Sequence, residues 1–173
     1  MDAMDMRKAV NSQLMAALAM LEQTIQRCPP DLWIDPQAKD QFWQIAYHAL
    51  FYTHLYLQES EATFRPWPKH RKDYHLLGPI PWEGNLMHAI GEPYTRAEVL
   101  EYLEFCRNEG QTRLAELHFA GPSGFDWLPF SKLELQMYII RHVQQHTGEL
   151  GARLSDRGIE ISWVGVGPAP EHE

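Results

Sequence analysis

Two histidines four residues apart, His142 and His146, sit in the stretch IIRHVQQHTGEL, residues 139–150, whose other positions read as a buried helix. On a helix such a pair projects from one face, one turn apart. That suits two imidazole ligands of one metal ion, or two hydrogen-bonded core histidines. Nine histidines in 173 residues make one pair at this spacing unsurprising by chance, so a third ligand has to be found. HVQQH carries Gln where a metalloprotease His-Glu-x-x-His carries its general base. A two-histidine, one-carboxylate iron site would need an acid such as Glu149.

The elements that must position a third ligand can be read from spacing and punctuation. Leu14, Ala17, Leu18, Leu21 and Ile25 recur at three and four residues, and the pattern stops at CPPD, giving a first helix. Asp35 as N-cap with Pro36 behind it predicts the start of a second helix, carrying Phe42, Ile45, Ala49, Tyr52 and Leu55 to about Gln58. TRAE at Thr95 and SKLE at Ser131 each offer a hydroxyl N-cap with Glu three residues on, and open a third and a fourth helix. Val99, Leu100, Leu103, Leu114 and Leu117 line the third. Leu135, Ile139, Val143, Leu150 and Leu154 line the fourth, until Gly158 closes it. The fold class is therefore all-α, a single four-helix domain over residues 1–173.

Between the second and third helices, residues 59–94 hold Pro66, Pro68, Pro79, Pro81 and Pro93 with Trp67 and Trp82. That connection is long enough to return the chain to the other end of a bundle, so the topology expected is up-down-down-up. In that arrangement His48 lies about 15 Å from the C-terminal end of the second helix, and His142 and His146 about 16 and 22 Å from the start of the fourth. Antiparallel, those levels coincide. His48 shares the stripe of Ile45, Tyr52 and Leu55, whereas His54 is about 120° further round and reads as an exposed or interface histidine. His70, His75 and His88 read as loop residues, with His88 able to approach the site if the loop folds over it, and IEISWVG after Ser155 as an extended tail.

Three neutral imidazoles leave at least one coordination position open for water or substrate, and zinc, nickel and iron all accept such ligands. Tyr52, one turn from His48, can aim its hydroxyl at a metal-bound ligand. Glu149 reads either as a partner for an imidazole N–H or as a solvated acid. Trp43, Tyr47, Phe51 and Tyr56 read as core and subunit packing, Arg141 as a surface or subunit salt-bridge residue, and Cys106 as a core thiol.

A helix-borne His48, a long gap to the last helix and His-x-x-x-His followed by GEL resemble the DinB/YfiT-like superfamily of metal-binding four-helix bundles, and LELQMYIIRHVQQHTGELGARLSDRGIE is similar to its last helix and exit. The resemblance implies a divalent metal held by His48, His142 and His146, usually in a homodimer. It also implies a low-molecular-weight thiol as co-substrate in a thiol-dependent transferase or isomerase acting on a small-molecule electrophile. Chemistry alone equally allows a metal-dependent hydrolase activating water, and a non-catalytic metal-binding or self-associating bundle is the rival from another class.

Composition excludes other classes. A formal net charge of -8 with no basic cluster opposes nucleic-acid binding. Only two, widely separated cysteines, Cys28 and Cys106, suit reduced thiols in a cytoplasm. The start, MDAMDMRKAVNSQLMAALAMLEQ, matches neither a secretory signal nor a membrane span, so no membrane association is expected.

Overall fold

The computed structural model describes residues 3–79 and 90–167; Trp82 and His88 lie outside them. Helices α1 (Ala3–Arg27), α2 (Pro30–Trp33), α3 (Phe42–Leu57), α4 (Arg96–Glu116) and α5 (Lys132–Ser155) make up the fold, with a 3₁₀ turn at Glu61–Thr63 and no strand among the described residues. No helix there is long and apolar enough to cross a membrane.

Each long helix buries its apolar stripe against two others: α1 on α4 and α5, α3 on the same pair. Leu14, Leu18, Leu21 and Ile25 of α1 and Leu135, Ile139, Val143, Leu150 and Leu154 of α5 are almost wholly removed from water, each stabilising the fold by about 1.5–3 kcal/mol before chain entropy is charged. The order of contacts is regular. Asp40 just before α3 accepts from Arg153 late on α5, His48 meets His142, Tyr56 meets Tyr138, and the Gln58 carbonyl takes Lys132 at the start of α5. Along α4 the order is not reversed: Tyr47 packs on Tyr102, the Leu50 carbonyl takes the Cys106 thiol, and Gln58 reaches Glu109.

The start of α3 differs from the sequence expectation. Asp35 caps no helix. Its carboxylate takes the Gln37 N–H in a turn, and the Gln41 side chain both accepts from the Asp35 N–H and donates to the Asp35 carbonyl, which closes that turn and delays the helix to Phe42. Pro30, which helps to stop α1, opens the short α2, where its missing N–H costs nothing. The Thr95–Glu98 box is complete, while Ser131 accepts from the Glu134 N–H. Gly158 closes α5 as expected, at φ +71, with its N–H on the Ser155 carbonyl and that of Ile159 on Leu154.

Residues 159–167, the described part of the tail after Gly158, make no strand. They lie along α1, fixed by Gln23 to both backbone groups of Ser162, by Arg27 to the Glu160 carbonyl and by Gln13 to the Gly165 carbonyl. The Gly167 N–H donates to the Ser12 carbonyl, an approach so close that a Cβ there would lie 2.5 Å from that of Met15.

Candidate metal centre

Of the sixteen residues of α3, only His48 and Tyr52 are not fully buried. The helix is encased by α4, α5 and the crossover, and its one opening faces the middle of α5. There His48, His142 and His146 come together, one ligand nitrogen from each lying within 4.8 Å of the others.

The nitrogens that converge are the Nε2 atoms. That of His142 is 3.1 Å from His48 and 3.2 Å from His146. Hydrogen bonding alone cannot satisfy this arrangement. A carbonyl only accepts, so the 2.6 Å contact from His48 Nδ1 to the His75 carbonyl places the His48 proton on Nδ1. By the same reasoning, Glu149 Oε2 at 3.2 Å from His146 Nδ1 holds a proton there. In the neutral rings, both Nε2 atoms therefore present lone pairs to the same space, and His142, with a single ring proton, has one donor at most to offer them. Burial pushes His48 down to about 3 and His142 down to about 4, with the neighbouring imidazoles adding to both, so neither gains a second proton near neutrality.

A divalent ion would resolve the conflict. Metal–nitrogen bonds of about 2.0–2.1 Å give donor separations from about 2.9 Å in octahedral to about 3.4 Å in tetrahedral geometry; the His142–His48 and His142–His146 separations fall inside that range, and the His48–His146 separation lies within 4.8 Å. The donor set also fits: each outer imidazole has its Nδ1–H held by an oxygen, the usual support for a ligating histidine. Glu149 is thereby an imidazole partner as well as an exposed acid, and its other oxygen takes Arg153 at 3.1 Å.

Comparison with protein-family models, curated proteins and solved structures gave no match. The site is therefore described by its own geometry.

Tyr52 stands edge-on to His48, with ring centroids 4.8 Å apart, and to His142 at 5.7 Å. Burial raises its phenol pKa, so it stays protonated near neutrality. Tyr138, four residues before His142 and stacked on it at 6.3 Å, is a neighbour the sequence analysis missed, although its spacing puts it on the same face. The His75 carbonyl was also missed, and as a backbone group it left no signal in residue types.

The other histidines discussed above, among the described residues, add no ring nitrogen to the triad. His54 is not exposed: it is 1 % accessible, with Nδ1 3.1 Å from the Tyr102 hydroxyl and its ring against Phe64 and Phe105. The expectation failed because α3 has no solvent face on that side. His70 and His75 do lie in the crossover, His70 bonded to the Tyr47 hydroxyl at 2.7 Å and His75 stacked on Phe51 at 3.8 Å. Trp43, Tyr47, Phe51 and Tyr56 are core residues, as expected. Arg141 makes no salt bridge among the described residues and stacks instead over Tyr138, at 5.3 Å. Cys106 is fully buried, with its thiol on the Leu50 carbonyl.

Proposed function

We propose that this chain is a divalent-metal enzyme of the DinB/YfiT-like kind, with His48, His142 and His146 as ligands, acting on an electrophilic small molecule. The observation that carries this reading is the convergence of three Nε2 atoms, two of them stripped of protons by the oxygens at their Nδ1 positions. Zinc, nickel or iron held there would lower the pKa of a thiol or a water and so supply a nucleophile near neutral pH.

The chain's own residues prepare the site for that role. The His75 carbonyl and Glu149 fix two ring orientations, and Arg153 steadies Glu149 in turn. Tyr52 and His48 form the only breach in α3, so a ligand approaching along that helix meets the phenol beside the imidazoles. A protonated phenol in that place donates to a developing anion. Because Glu149 is engaged by both His146 and Arg153, it suits holding an imidazole better than abstracting a proton from water. This favours a thiol nucleophile, which is acidic enough to need no strong base, over hydrolysis. An up-down-down-up order for α1, α3, α4 and α5 is part of the proposal, supported by the reversed levels along α3 and α5 and the matched levels along α3 and α4. Homodimerisation and a cytoplasmic setting come with the resemblance, and the free, buried Cys28 and Cys106 accord with the latter.

The test is elemental analysis of protein prepared without a histidine tag, beside His142→Ala, followed by a screen of low-molecular-weight thiols with electrophiles, with and without chelator. About one ion per chain, lost in the variant, and thiol-dependent turnover stopped by chelator are the expected results. Turnover without thiol would point to hydrolysis. Failure to take up zinc, nickel or iron would leave the histidines as packing in a non-catalytic bundle.

A further inference from the structure

We infer that Gln44 is a positioning residue for the metal ligand His48, acting through the backbone of the crossover; the inference rests on reading the triad as a metal site. Gln44 lies one turn before His48 on α3 and is buried, 8 % accessible, on a helix whose neighbours there are aromatic and aliphatic. A buried amide is costly unless it is bonded. Its Nε2 donates at 2.9 Å to the carbonyl of Leu76, the residue that follows His75, whose carbonyl takes the His48 Nδ1–H.

The crossover is irregular at this point, so carbonyls pressed against α3 must find donors outside any regular ladder. Gln44 and His48, four residues apart, supply them to two successive peptide groups. Apolar contacts on either side, Tyr74 on Trp43 at 5.7 Å and His75 on Phe51 at 3.8 Å, hold the segment down but do not aim a carbonyl. Gln44 does. Without its amide the 76–77 peptide can rotate, and the adjoining 75–76 peptide is then held only by the Leu76 N–H on the Asp73 carbonyl and by His48 itself; the His75 carbonyl leaves its 2.6 Å contact, and His48 is free to carry its proton on Nε2, where it blocks metal binding.

The experiment compares zinc affinity, by chelator competition, in the unchanged protein, in Gln44→Met and in Gln58→Met. Gln58 is also buried and bonded, to Glu109 and the His54 carbonyl, away from the triad. The expected result is a loss of about tenfold or more in Gln44→Met, with the downfield Nδ1–H resonance of His48 lost, while Gln58→Met keeps both. Zinc affinity within about twofold of the unchanged protein in Gln44→Met would overturn the inference alone. No zinc binding by the unchanged protein would overturn the metal reading and the inference together. If Gln44→Met fails to fold, hydrogen exchange on the unchanged protein decides: zinc should slow exchange of the Leu76 amide, which donates to the Asp73 carbonyl, and unaltered exchange there would refute the coupling.

Discussion

His48 and His142 are separated by 94 residues, yet their Nε2 atoms face each other at 3.1 Å with no hydrogen-bond pattern that suits all three imidazoles. The conflict makes the triad experimentally accessible, because an ion bound there would relieve it.

Replacing His48 or His142 with Ala should reduce bound metal from about one ion per chain to nearly none, whereas His54→Gln should leave the stoichiometry unchanged. Elemental analysis after desalting checks this. Loss of metal in the His54 variant would mean that the Tyr102-bonded histidine, not the triad alone, governs the site.

Glu149→Gln should weaken zinc binding by about tenfold while leaving the ion count at saturation unchanged, since an amide can still accept the His146 Nδ1–H but without charge. Competition titration gives the ratio. An unchanged affinity would make the Glu149–Arg153 pair a surface feature only.

His54 ties stability to pH. Burial holds its pKa down at about 4 against an ordinary 6.5, with Glu109 opposing weakly. The unfolded chain therefore binds a proton that the folded chain refuses, and stability is full above about pH 6.5 and falls as pH drops toward 4, by up to about 3 kcal/mol. Urea unfolding at pH 7 and pH 4.5 should show a smaller acid loss in His54→Gln than in the unchanged protein. Equal losses would mean that the buried ring is not the source.

Gly124→Ala should cost about 3 kcal/mol or more in urea denaturation. Its φ is +86, and a Cβ there would sit 2.0 Å from the Glu59 carbonyl oxygen, a clash with backbone that no rotamer relieves. A wild-type midpoint would show that this loop is free to move away from the end of α3.

Much of this was legible in the chain because it depends on local rules. The Thr95–Glu98 box, the apolar stripes of α1 and α5 and the closing Gly158 each need only a few neighbouring residues to be recognised. His48 could be chosen as the third ligand because helix rise converts residue number into depth. The failures arose where local rules meet tertiary structure. Asp35–Pro36 has the form of a helix start, but Gln41 pulls the turn closed and moves the start to Phe42. His54 was set outside because a helical wheel assumes a wet face, which α3 has only at His48 and Tyr52. The carbonyls of His75 and Leu76 could not be read at all, since every residue carries one.

The strap of residues 159–167 along α1 bears on how the chain is made. α1 packs chiefly on α4 and α5, and its long-range hydrogen bonds reach partners 85 to 155 residues away. On a ribosome α1 emerges on the order of ten seconds before the start of α5 does, at ordinary elongation speeds. Its Leu14, Leu18 and Leu21 stripe lacks its α5 neighbour for that interval and stays open to a chaperone on that side. High contact order then makes closure of α1 a late, slow event, completed when residues 159–167 lie down along it.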